Sequence, residues 1–184
     1  MSSTSAPFGL RPALHQSGIV RPSGYTILTG YTSGILQNQP IKIGAAGYIE
    51  AAAIGDRFIG TFQGVEYTDT LGARRYSPQW IANTPGTDIV CYTTEDPYIT
   101  YEIQTNAAVT LADIGEQFDF TTITAGSTVT GLSALMLDVA STAANASLRL
   151  MNISPYPGNA WGDTYVIVQV QISEHQFVAD VAAI

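Results

Sequence analysis

The chain is short of charge, and of positive charge above all. Of its 184 residues only 12% are charged, 7 are Lys or Arg, and Lys42 is the single lysine. A formal net charge of -8 works against phosphate binding, because nucleic-acid affinity rests on Lys and Arg releasing condensed counterions. No nucleic-acid partner is expected. Cysteine is nearly absent as well: Cys91 is the only one, which excludes an internal disulfide and a multi-cysteine metal site. Within "DIVCYT" it reads as a small buried apolar residue rather than a reactive thiol. No apolar run approaches the length of a membrane-spanning helix. The opening "MSSTSAPFGLRPALHQSG" has no basic segment followed by an apolar core, so no membrane partner is expected and folding is expected to finish in a cytoplasm.

Histidine is scarce too. His15 lies in the first stretch and His175 in "ISEHQF", whereas a nucleophilic Ser or Cys needs a histidine base with its own orienting acid. No G-x-S-x-G elbow is present, since "GLSAL" lacks the second glycine. Cys91 with His175 would make a dyad only if something lowered the thiol pKa, and nothing in either stretch does so. The "EH" pair at 174–175 reads as a solvated strand end whose side chains point to opposite faces. The acidic pairs in "TTEDP" and "VEYTD" lack the alternating oxygens and closing Glu of an EF-hand. Glycoside hydrolysis needs two carboxylates across one cleft. Glu66, Asp69, Glu95, Asp96 and Glu102 are the nearest candidates, but 15 acids make a chance pair easy to find. An enzyme is not expected, and neither is a cofactor, a metal or a catalytic residue.

What remains is a composition suited to packed β-structure: 46% apolar residues, with Gly, Thr, Ser, Ala and Tyr plentiful. A chain of this length hides roughly 70% of its unfolded surface in one domain. The low surface charge suggests that partners cover part of it. In "DPYITYEIQT", Ile99, Tyr101 and Ile103 alternate with polar residues, and in "YVIVQVQIS", Val166, Val168, Val170 and Ile172 do the same. Weaker strand candidates are "QPIKI", "GYIEAA", "RFIGTFQGVEY", "RRYSPQW", "DIVCYT", "GLSALML" and "SLRLMNI". "EDP" reads as a hairpin turn, "LADIGEQF" as the one place for a helical turn, and the stretches 123–131 and 140–147 as surface loops. The two Asn-x-Ser matches, at Asn145 and Asn152, mean nothing without secretion.

Together these predict an all-β fold, an antiparallel β-sandwich or jelly-roll-like barrel over residues 25–184, preceded by an extended N-terminal arm at 1–24. Pro7, Pro12 and Pro22 forbid a helix or a central strand in the arm. Phe8, Leu10, Leu14 and Ile19 make it too apolar for a free tail, so it should lie on its own body or a neighbour's.

The densest mix of charge and aromatics is "GDRFIGTFQGVEYTDTLGARRYSPQW", 55–80. Asp69-Thr70-Leu71-Gly72 fits a turn in which Asp binds backbone and Gly takes a positive φ, so its flanks should pair. Arg74 then falls opposite Thr68 or Asp69, and Arg75 opposite Tyr67 or Thr68. Gly64 suggests a bulge or a close backbone approach. Two readings stand: a hairpin closed by cross-strand Arg and Tyr pairs, or a docking edge built of Tyr67, Arg74, Arg75, Tyr76 and Trp80. Trp161, beside "PGN", reads as a core plug.

Three blocks, "SAPFGLRPALHQSG", the 55–80 stretch and "GNAWGDTYVIVQVQISEHQF", resemble the head decoration or cement proteins of tailed bacteriophages. The resemblance implies a β-sandwich or jelly-roll body on the outer surface of an icosahedral capsid, made in the host bacterial cytoplasm and assembled into the virion. It also implies a homo-oligomer, with a trimer favoured and a dimer as the alternative, that binds the major capsid protein. Phe8, Leu10, Arg11 and Leu14 of the arm join the hairpin residues as interface candidates, and residues 6–22 are expected to reach neighbouring subunits. Deleting 2–22 is then expected to weaken shell binding while leaving the body folded. The alternatives are a β-sandwich carbohydrate-binding module displayed on the virion, with Trp80 and Trp161 as stacking platforms, and a minor tail or baseplate component.

Overall fold

The computed structural model describes residues 4–122, 126–143 and 145–180. Its strands are β1 (Arg11–Leu14), β2 (Ser23–Tyr25), β3 (Pro40–Ile43), β4 (Ile49–Ala51), β5 (Gly60–Thr68), β6 (Arg74–Ser77), β7 (Thr87–Thr94), β8 (Thr100–Gln104), β9 (Gln117–Phe120), β10 (Gly126–Ser127), β11 (Leu132–Ser133), β12 (Leu137–Ala143), β13 (Leu148–Ile153) and β14 (Ile167–Ile172). One six-stranded sheet runs β1-β8-β14-β13-β9-β12, a second runs β2-β7-β5-β3-β4 with β6 also on β5, and β10 and β11 form a separate two-stranded sheet. Neighbouring strands pair antiparallel. The fold is all-β and consistent with a β-sandwich.

Alternation places the core. In β8 and β14 the residues Tyr101, Ile103, Val168, Val170 and Ile172 join Phe118, Phe120, Leu148 and Leu150 in the larger apolar cluster. A second cluster lies on the other sheet, where Ile41, Ile59, Phe62, Val65 and Cys91 are covered by Ile27, Ile35 and Trp80. Between the sheets runs a buried polar chain: Tyr101 Oη lies 3.2 Å from Thr94 Oγ1, which lies 2.9 Å from Thr61 Oγ1. It satisfies hydroxyls that would otherwise be costly to bury.

The extended arm is not seen as such. Residues 11–14 and 23–25 are edge strands, β1 on β8 and β2 on β7, positions where the missing N–H of a proline costs no ladder bond. Gly9, at φ +78, lies against Asn38, and a Cβ there would sit 2.7 Å from the Asn38 carbonyl oxygen. Leu10 N–H donates to that same oxygen (2.9 Å), and the Leu10 side chain is fully buried in the larger cluster.

Other expectations are corrected by long-range pairing. The "EDP" turn does not close a hairpin, because β7 and β8 belong to different sheets; Asp96 caps a crossover by accepting Tyr98 N–H at 2.9 Å. The 3-10 turn at Leu111–Asp113 is present, but the "QFDF" that follows is a strand with Phe118 and Phe120 pointing inward. The stretch expected as a loop at 140–147 carries β12 to Ala143 and buries Ala146 and Ser147, while Ala144 is outside the described residues. Its small side chains fit the pleat of an edge strand. Of the loop expected at 123–131, residues 123–125 are outside the described residues, and 126–127 pair with 132–133. His175 is no solvated strand end: it is 2% exposed, with Nε2 donating to the carbonyls of Ile59 (2.8 Å) and Glu95 (3.0 Å) while Nδ1 accepts Phe177 N–H (3.1 Å).

Candidate interaction surface

The hairpin forms as the sequence predicts. Thr68 pairs with Arg74, Tyr67 with Arg75 and Glu66 with Tyr76. Asp69 Oδ1 accepts the N–H of Leu71 and of Ala73, each at 2.9 Å, and Gly72 takes φ +82. These bonds fix the turn without help from the core. Between Phe62 and Gly64 the β5 register shifts against β7, which is the expected bulge.

Charge on the hairpin is cancelled locally. Arg74 lies 2.7 Å from Glu66, and Arg75 2.8 Å from Asp69. The Arg74 guanidinium, helped by hydrogen bonds to Tyr92 and Tyr76, holds the Glu66 carboxyl below its ordinary range. The Arg75 guanidinium and the Ala73 and Leu71 amides do the same for Asp69. Both pairs stay ionised through neutral pH. Leu71 and Tyr76 are 87% and 75% exposed, so an ordered, neutral, partly apolar hairpin faces solvent.

Trp80 does not belong to that surface. It is 1% exposed and meets Tyr67 edge-on, with ring centroids 5.8 Å apart. Its indole caps the smaller cluster, so it is available neither as an interface anchor nor as a sugar platform. Trp161, half-buried, packs on the larger cluster, as expected of a plug.

The N-terminal candidates split in the same way. Leu10 is core and is corrected as an interface residue, while Leu14 is exposed. Arg11 is a clamp: it lies 2.5 Å from Glu102 and 3.0 Å from Tyr156 Oη, which itself donates to Glu102 at 2.9 Å. The Arg11 guanidinium also sits 4.5 Å above the Phe8 ring, a cation–π contact. Burial alone would raise the Glu102 pKa, but Arg11 and Tyr156 outweigh it and hold the carboxyl below its ordinary range. Among the described residues no hydrogen bond, ion pair or ring contact joins these residues to the hairpin.

Cys91 is buried in the smaller cluster, and desolvation pushes its thiol pKa far up, out of the range of a nucleophile. His175 spends both ring nitrogens on backbone groups, and burial lowers its pKa. Neither is set up as half of a dyad.

No sequence signal marks one further feature. The 15–23 loop and the 95–99 crossover enclose two adjoining clefts of about 400 and 420 Å³, and Arg21 and Asp96 line both. Their juxtaposition depends on β1 and β2 being laid on opposite sheets, which no local pattern announces. A third cleft of about 560 Å³, between Leu36, Trp80, Ile81 and Gly126, is the more apolar one.

No protein-family model matches this chain, and neither does any curated protein sequence or any solved structure.

Proposed function

We propose that this chain is a structural virion protein that binds the outer surface of an icosahedral phage capsid and cements neighbouring major capsid proteins. The observation that carries the reading is the hairpin: a rigid, charge-neutral β-turn that holds Leu71 and Tyr76 out in solvent. Apolar side chains held away from the core on an ordered element are what a docking contact requires. The resemblance of the three sequence blocks supplies the class of partner. Binding to the assembled shell and not to its free subunits would stabilise the shell by mass action, and many copies would multiply a modest affinity.

The carbohydrate-binding alternative loses its main platform, since Trp80 is buried. The test is co-sedimentation of the purified protein with expanded, undecorated heads. Saturable binding at a fixed copy number per capsid protein, lost in the Leu71→Asp/Tyr76→Ala double variant with unchanged thermal unfolding, is the expected result. A folded protein that fails to bind heads ends the cement reading. Binding by the double variant at wild-type strength would remove the hairpin from it.

A further inference from the structure

Strand β1 lies on β8 and β2 on β7, so the 15–22 loop and the 95–99 crossover both pass from one sheet to the other, and they meet at the 400 Å³ cleft. Their meeting brings together three side chains that neither stretch holds alone. Ser17 Oγ lies 2.7 Å from His15 Nδ1, and His15 Nε2 lies 3.2 Å from Asp96 Oδ2. The tautomer follows from the backbone. Ser17 N–H donates to Nδ1 at 3.2 Å, so that nitrogen carries a lone pair and the ring proton sits on Nε2, facing the carboxylate. Asp96 Oδ1 accepts the Tyr98 amide at 2.9 Å, which leaves Oδ2 for the ring. An acid held by backbone, an imidazole held by the acid and a hydroxyl on the remaining nitrogen fill the three roles of a nucleophilic serine site.

Ser17 is exposed and lines the cleft with His15, Ile19, Arg21 and Asp96, so a substrate reaches the hydroxyl directly from solvent. The amides of Ser17 and Gly18 are spent on His15, the first on Nδ1 and the second on the carbonyl oxygen at 2.8 Å. Arg21 is exposed and has no ion pair or hydrogen bond among the described residues. It is the cation left in the cleft for negative charge that develops on a substrate oxygen. A charged substrate would gain at one of Arg21 and Asp96 and lose at the other, whereas a neutral one meets no such penalty, and exposed Ile19 supplies an apolar wall. We propose that Ser17, His15 and Asp96 form a hydrolytic site for small, neutral carboxylic esters.

Ser17 Oγ attacks the ester carbonyl carbon while Nδ1 takes the hydroxyl proton, and the carbonyl electron pair moves onto oxygen beside Arg21. Collapse re-forms the carbonyl and breaks the bond to the alkoxy group, which leaves as the alcohol with the proton from Nδ1. Water then attacks the acyl-serine and gives a proton to Nδ1; the second collapse frees the carboxylic acid and returns that proton to Ser17. The sum is ester plus water to acid plus alcohol. Asp96 touches no substrate: it positions the ring and offsets the imidazolium charge.

Two measurements on the full chain test the site without capsid, so the shell-binding reading stands or falls separately. The first is steady-state hydrolysis of p-nitrophenyl butyrate, each variant being checked for unchanged thermal unfolding. Wild type should turn over saturably, and Ser17→Ala and His15→Gln should each lose about a hundredfold or more in kcat/KM, with the double variant no worse than either. Asp96→Asn, which keeps an acceptor for the Tyr98 amide, should lower kcat about tenfold or more at unchanged KM, and Asp96→Glu should restore part of the loss. The second measurement needs no variant: a fluorophosphonate probe followed by peptide mass spectrometry should leave one adduct, on Ser17. Wild type no faster than buffer, Ser17→Ala at the wild-type rate, an unaffected Asp96→Asn, or a probe that leaves Ser17 unmodified each overturns the proposal.

Discussion

Strands β1 and β6 make an instructive pair. Each is a four-residue edge strand joined to a single neighbour, and each carries arginine bonded to a carboxylate. Their settings are opposite. β1 follows a fully buried leucine, and its Arg11 reaches Glu102, only 7% of whose side chain is exposed. β6 pairs with β5 alone, and Arg74, Arg75 and Tyr76 are all exposed. The same ion-pair chemistry therefore anchors one edge and merely orders the other. Coulombic attraction is weak in water and grows as solvent is excluded, so burial decides which edge carries stability and which remains free for contact.

Substitutions on the two strands should separate accordingly. The largest effect is expected from Leu10→Ala, which removes a buried side chain from a close-packed cluster and should cost about 2–5 kcal/mol in chemical denaturation. A cost near zero would mean that the segment before β1 is a detachable arm after all. Deleting 2–22 should for the same reason destabilise the body rather than leave it folded. Next comes Glu102→Gln, which leaves Arg11 and the Tyr156 hydroxyl without their charged acceptor and should cost about 1–3 kcal/mol at pH 7. Because the folded Glu102 pKa is depressed, its contribution is present above the unfolded value of 4.5 and is lost as pH falls through the folded one. Denaturation series should therefore converge for wild type and Glu102→Gln only as the pH falls below 4.5. His175 opens an earlier window with the same direction. Its folded pKa lies below 6.5, so the unfolded chain takes up the proton first and stability declines as pH drops from about 6.5. His175→Gln should flatten that part of the profile.

Local signals in the sequence are sufficient wherever structure is decided locally. The Asp69–Gly72 turn and the alternation of β8 and β14 follow from turn chemistry and period-two burial, and even the register of Arg74 and Arg75 falls within the two options that the turn permits. Long-range choices are not legible. "EDP" has the residues of a turn whether the next strand joins the same sheet or crosses to the other. Apolar residues beside prolines describe an arm equally well as an edge strand, and only the pocket formed by Asn38 and the larger cluster decides that Leu10 is core. Trp80 reads as a surface residue for the same reason. Its neighbours, half-buried Gln79 and exposed Ile81, do not mark it as core, but its Ile35 backbone partner turns it inward over the smaller cluster.

The smallest stability change is expected at the hairpin, and there the comparison is most exacting. Arg75→Gln breaks an exposed pair whose carboxylate keeps its two backbone donors, the amides of Leu71 and Ala73. The turn should survive, and thermal unfolding should shift less than for any substitution above. Solvent already screens that pair, so raising the salt concentration should change wild type and Arg75→Gln almost equally. On β1 the same operation, Arg11→Gln, takes the cationic partner from Glu102 in a site nearly closed to water, and it should lower the unfolding temperature clearly. Equal shifts for the two arginines would show that burial does not distinguish the edges. A large shift at Arg75 alone would make the hairpin a structural element, and would take away the independence from the core on which the proposed docking contact rests.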